Sequence, residues 1–151
     1  MKSTIKDIDH GWKDIKKDLK RMHGASVVIG VLQNAKAYKD GTSQAEVAFH
    51  NEYGTSKGVP ERSFIRTTAD ENKAKYAKRM KKEVQAVFDG KQSVRDALTR
   101  VGLLAQGHVR KKIKDIKTPP NAASTIKKKG SSNPLIDTGS LIRSIDFEVR
   151  K

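Results

Sequence analysis

Asn133-Pro134-Leu135-Ile136-Asp137-Thr138-Gly139-Ser140-Leu141-Ile142-Arg143-Ser144-Ile145-Asp146-Phe147-Glu148-Val149-Arg150-Lys151 decides how the rest of the chain is arranged. In its second half Ile145, Phe147 and Val149 alternate with Asp146, Glu148 and Arg150, the period-2 pattern of a strand with one buried face. Ahead of it, Pro134 opens a rigid apolar pair and Asp137 or Thr138 stands where a helix cap would be. Leu141, Ile142 and Ile145 then supply about two turns of apolar helix side. The stretch therefore predicts a turn, a short helix and an edge strand. That strand requires a partner earlier in the chain.

The partner is Ser26 to Leu32. Val27-Val28-Ile29-Gly30-Val31-Leu32 is β-branched and apolar on both faces, which predicts a central strand paired with the final one. Asp137-Thr138-Gly139-Ser140 after two apolar residues also looks like the active-site triplet of aspartic proteases. Such an enzyme needs two carboxylates sharing a proton. The twelve residues that follow Gly139 cannot supply the flap and closing strands of such a lobe. The triplet is therefore read as a turn.

Upstream, Ile5, Ile8, Trp12, Ile15, Leu19 and Met22 step by three and four, a narrow stripe along a helix over 1–24 that Gly24 would close. A heptad seam of this kind packs on the core or serves a neighbouring subunit. Asn34 to Ser43 reads as a loop with an Asp40-Gly41 turn. Gln44 to Tyr53 fits both a strand and a short helix stopped by Gly54, and the helix is preferred. Thr68-Ala69-Asp70-Glu71 has the form of a capping box, opening a helix through Tyr76, Met80, Val84 and Val87 that ends at Gly90. Ser93 and Asp96 open the next, whose apolar face runs Val94, Leu98, Val101, Ala105, Val109, Ile113 and Ile116. Gly102 and Gly107 interrupt it at a cost of roughly 1 kcal/mol each relative to Ala, which close packing would offset. His108 reads as a partly buried helix residue. The segment 117–133 has Ile126 as its lone apolar residue and reads as a flexible arm or loop.

The fold expected is α+β, one domain over 1–151. A small, mainly antiparallel sheet is flanked by long amphipathic helices, with the core in 26–116 and 134–151.

Charge bounds the partners. Thirty-two Lys and Arg against 17 Asp and Glu give +15 over 151 residues, which favours a polyanion. The cations cluster as Lys78, Arg79, Lys81 and Lys82 on one predicted helix face, and as Arg110, Lys111, Lys112, Lys114, Lys127, Lys128 and Lys129 further on. These are the candidate DNA-channel or partner-facing residues. With no cysteine and four scattered histidines, neither a disulfide framework nor a metal site is expected, and no cofactor is implied. Val27 to Leu32 is too short to span a bilayer and the N-terminus lacks an apolar signal core, so an intracellular product without a membrane partner is expected.

Three pieces in order resemble one family: Val28-Ile29-Gly30-Val31-Leu32; then His50-Asn51-Glu52-Tyr53-Gly54-Thr55 followed by Pro60-Glu61-Arg62-Ser63-Phe64-Ile65-Arg66; then Ser124-Thr125-Ile126 with Pro134-Leu135-Ile136-Asp137-Thr138-Gly139-Ser140-Leu141 and Ser144-Ile145. Together, over about residues 26–151, they are similar to the neck and tail-completion proteins of tailed bacteriophages. Glu61 stands where that family often has Ala. The resemblance implies structural anchors at Glu52, Tyr53, Gly54, Pro60, Arg62, Phe64, Pro134, Leu135, Asp137, Thr138, Gly139 and Leu141, and no catalytic residues. It implies a virion protein made in the bacterial cytoplasm, assembled as a hexameric or dodecameric ring around DNA. The ring would meet head-closure proteins on one side and tail-terminator or tail-tube proteins on the other. The alternative is a free basic nucleic-acid-binding protein.

Overall fold

In a computed structural model, residues 11–32, 35–38 and 40–150 are described. Helix α1 (Trp12–Met22) carries the later part of the predicted stripe, while Ile5 and Ile8 lie outside the described residues. Gly24, at φ +74°, turns the chain into strand β1 (Ser26–Val31). The chain's last element, β2 (Ile145–Arg150), pairs with it antiparallel, from Ser26 opposite Arg150 to Val31 opposite Ile145. The pairing is the expected one, but β1 is not central. Among the described residues the sheet has two strands, and one long helix packs on it instead of a further strand.

That helix is α4 (Val94–Asp115). Its first turn is held by a reciprocal capping box in which Ser93 Oγ accepts from the Asp96 N–H at 3.1 Å and the Asp96 carboxylate from the Ser93 N–H at 3.4 Å. Leu98, Val101, Ala105, Val109 and Ile113 are buried along its predicted stripe. Gly102 is where Phe147 of β2 comes in: a Cβ there would stand 2.3 Å from the ring. Gly107 has nothing within 4 Å of that position, so close packing accounts for one of the two glycines.

Helix α2 (Gln44–Tyr53) is a helix as preferred, begun at Ser43 and ended at Gly54. Helix α3 (Arg66–Phe88) begins two residues before the predicted Thr68–Glu71 box, and its first turn is not capped there. Thr68 is buried, and its hydroxyl donates back to the Phe64 carbonyl at 2.5 Å. Residues before the helix supply the cap instead, as described below. Glu71 bonds Lys112, Tyr76 bonds His108, and Glu83 lies 3.9 Å from Arg100. These pairs run in opposite chain directions, so α3 and α4 are antiparallel.

The segment 117–133 is not a bare loop. It contains helix α5 (Ala123–Lys129), closed by left-handed Gly130 at φ +67°. Helix α6 (Ser140–Ser144) is one turn rather than two, because Ile145 leaves it to start β2. Its cap position is held by Gly139 at φ +77° without a side-chain bond, so neither Asp137 nor Thr138 caps it. The left-handed turn shifts the helix start past both. One buried cluster joins Ala48, Phe64, Val109, Ile113, Leu135, Leu141 and Ile145. Phe64 is its one ring, in keeping with a chain of 5% aromatic residues. Burying a side chain of this size is worth about 1.5–3 kcal/mol.

Candidate partner and polyanion surfaces

The anchors of the family-like blocks sort into three groups. Glu52 is the hub of the first. Its side chain is buried at the end of α2, where its carboxylate accepts from the N–H groups of Phe64, Ile65 and Arg66 at 2.8, 2.9 and 2.9 Å and from Ser63 Oγ at 2.7 Å. These are orphan donors at the start of α3, and an anion there also meets the positive end of the helix dipole. Burial would push the carboxyl up. The bonds from Ile65, Ser63, Arg66 and Phe64 outweigh it and hold the group below the ordinary glutamate range. Gly54, at φ +70°, makes the turn that brings residues 59–66 back onto α2, where a Cβ would stand 3.0 Å from the Val59 carbonyl and the Glu61 nitrogen. Pro60 is half-buried beside it.

Arg62 holds the second group. It is buried, yet its guanidinium finds carbonyls rather than a carboxylate: Nε donates to Pro119 O at 2.7 Å, and Nη2 to Pro120 O at 3.0 Å and Asn121 Oδ1 at 3.4 Å. Five fixed donors in a plane suit such a run of acceptors. The segment read as a flexible arm is thus clasped at its base. Asn133 Nδ2 ties its far end to Lys114 O at 3.0 Å.

Pro134, Leu135 and Leu141 form the third group: all three are buried, and the two leucines share the core cluster with Phe64. Asp137 and Thr138 are exposed, and Thr138 Oγ1 pairs with Ser140 Oγ at 2.7 Å. Asp137 lines a cavity of about 250 Å³ together with Tyr38, Asp40 and Lys129. Burial, then Asp137 and Asp40, raise the Tyr38 phenol above its ordinary value.

The eleven candidate cations do not stand alike. Arg79 pairs with the buried Glu83 at 2.6 Å. Arg110 Nη2 donates to Ile145 O at 2.7 Å, alongside Gln106 Nε2 at 2.9 Å, and the two fix the step from α6 into β2. Lys111 pairs with Asp115, and Lys112 with Glu71 at 2.6 Å. Lys129 is half-buried and donates to Pro134 O at 3.2 Å, and burial lowers its ammonium pKa. Arg79, Arg110, Lys112 and Lys129 are held by contacts between elements, whereas Lys111 stays exposed and its pair with Asp115 lies within its own helix. Lys78, Lys81 and Lys82 are exposed along α3, where with Lys91 they line a shallow groove, and Lys114, Lys127 and Lys128 are exposed elsewhere.

Sequence reasoning missed two features. On α2, Phe49 and Tyr53 are 60% and 51% exposed with ring centroids 4.9 Å apart, and the Arg66 guanidinium lies 4.4 Å over the Tyr53 ring. The i, i+4 spacing of two aromatics opposite Ala48 and Glu52 was the available signal. The Glu83 site, where Gln92 Nε2 donates at 2.6 Å and Arg79 pairs, had none. Helix α1 buries no side chain, and Leu19 on its stripe is 48% exposed.

Among the described residues no helix is long and apolar enough to cross a membrane, and no group of three or more His, Cys, Asp or Glu could hold a metal ion. No protein-family model, curated protein or solved structure matches this chain.

Proposed function

We propose that this chain is a structural virion protein of a tailed phage, a ring-forming neck or tail-completion component between head and tail around the DNA channel. The observation that carries the reading is the meeting of two family-like blocks, far apart in sequence, in one core. Phe64 of the first packs with Leu135 and Leu141 of the second, and Glu52 and Arg62 tie down the segments between them. Residues spent in this way are anchors, which leaves function to the surface. That surface offers uncommitted lysines on α3 and α5 and exposed apolar side chains on α1, α2 and α4. An assembly protein that surrounds DNA without reading it uses surfaces of these two kinds, phosphate contacts and subunit contacts. Its partners would be further copies of itself, the adjoining head-closure and tail proteins, and DNA.

A free nucleic-acid-binding protein is the second reading. The tilted Phe49–Tyr53 ring pair beside Arg66 favours it, because exposed aromatics next to arginine are platforms for unstacked bases. Titrating single- and double-stranded DNA at rising salt separates the two. A virion component of this kind binds both weakly at physiological salt. A monomer that coats single strands tightly, losing roughly 10³-fold or more in affinity between 50 and 200 mM salt, would establish the free binder instead.

A further inference from the structure

A closed ring built head to tail needs two unlike surfaces on each copy, complementary to each other and placed apart. One is the outward face of α2. Glu46, Phe49 and Tyr53 follow one another at i, i+3 and i+7, so that a carboxylate and two rings form a single exposed ridge. Arg66 at its end is already paired, with Glu61 at 2.7 Å and Glu52 at 3.2 Å. The other is a groove of about 340 Å³ where α1, the start of α4 and the end of β2 meet. Ala25, Val94 and Val149 give it an apolar floor, and Arg21, Arg95 and Arg150 a rim of guanidinium groups, of which Arg21 also pairs with Asp18 at 3.4 Å and Arg150 with Glu148 at 2.7 Å.

The two match in chemistry. An apolar floor ringed by guanidinium groups suits rings flanked by carboxylates, with arginine also favoured over aromatic faces. The other large exposed apolar side chains stand among cations: Lys16 lies over Trp12, Leu19 is followed by Lys20, and Leu103 lies one turn after Arg100. Asp18 precedes Leu19 and Asp96 lies two turns before Leu103, so what sets the α2 ridge apart is that its carboxylate stands one turn from two adjoining rings. The two are also well placed. Strand pairing sets Ser26 and Arg150 at one end of the sheet, beside the groove, and Val31 and Ile145 at the other, where Ala48 of α2 packs in the core. Ridge and groove therefore lie at opposite ends of the sheet, and a copy cannot fill its own groove.

We propose that the Glu46–Phe49–Tyr53 ridge of one copy seats in the arginine-rimmed groove of the next, as the repeating contact of the ring. The inference rests on the ring reading above. Its test uses the full chain with one patch disabled at a time. Phe49→Gln sets an uncharged amide against the apolar floor and keeps a good helix former. Val94→Glu sets a carboxylate into the groove at the first position of α4, where an anion is tolerated. Arg95→Glu is a second groove variant that leaves the floor untouched. Circular dichroism confirms folding of each.

Sedimentation is expected to show a ring for the unaltered protein and 16.8 kDa monomers for each variant alone. An equimolar mixture of Phe49→Gln with either groove variant is expected to give a dimer of twice that mass and nothing larger, because each supplies the patch the other lacks and the two disabled patches do not complement each other. Variants that still form rings, or a mixture that stays monomeric, would overturn the ridge-in-groove contact while leaving the ring itself standing. An unaltered protein that is monomeric throughout would remove the ring reading, and this inference with it.

Discussion

Glu52 does at one position what three separate caps would otherwise have to do. Its carboxylate gathers three backbone N–H groups and one hydroxyl while buried. Glu52→Gln keeps the shape but loses the charge and turns one acceptor into a donor facing donors, so a loss of about 2–3 kcal/mol in urea unfolding is expected. The carboxyl is held below the ordinary glutamate value of 4.5, so its contribution is full above that pH and drains as pH falls through the folded-state value beneath it. The acid limb of the stability curve should flatten in the variant. An unchanged limb would mean that other carboxylates govern acid unfolding. Arg62 makes an independent case. Arg62→Ala removes the clasp on Pro119, Pro120 and Asn121, and limited proteolysis should then cut near 117–122 at protease levels that leave the parent intact. The family-like blocks marked both residues, but neither role was legible. Each depends on a turn that brings distant backbone to the side chain, and residue type and spacing do not encode that.

Elements whose burial follows their own period were read correctly, and those that borrow from tertiary context were not. The stripe of α4 and its Ser93–Asp96 box are local, and both stand as predicted. The start of α3 is set from outside by Glu52, so the local capping pattern at Thr68 misplaced it. β1 looked central because it is apolar on both faces, a pattern that cannot tell a flanking strand from a covering helix. α5 was missed because a seven-residue helix with one large apolar side chain, Ile126, has almost no periodic signal. Within α4 the two glycines give opposed expectations. Gly102→Ala drives a methyl into the Phe147 ring and should cost about 1–3 kcal/mol. Gly107→Ala meets nothing and should gain up to about 1 kcal/mol. Thermal unfolding of the two single variants checks both signs, and a stabilised Gly102→Ala would mean that the sheet does not pack where it is described.

For the whole molecule, net charge of +15 is less informative than which cations are uncommitted. Lys81→Ala with Lys82→Ala should lower the slope of log affinity for DNA against log salt by about one per lysine and leave the melting temperature unchanged. Arg110→Ala should do the reverse, since its guanidinium is bonded to Ile145 O. If the two swap effects, the sorting of surface from structural cations is wrong. The sequence placed all of these residues in basic runs, and only the fold separates the lysines that face outward from the cations that brace α4 against β2. The central claim is assembly into a ring. It is tested most directly by the mass of the full chain in solution at physiological salt, measured over a wide concentration range with and without DNA. The account predicts one discrete closed species, many times 16.8 kDa, whose mass stops rising with concentration and does not depend on DNA. A monomer at every concentration that gains mass only by coating DNA would contradict it.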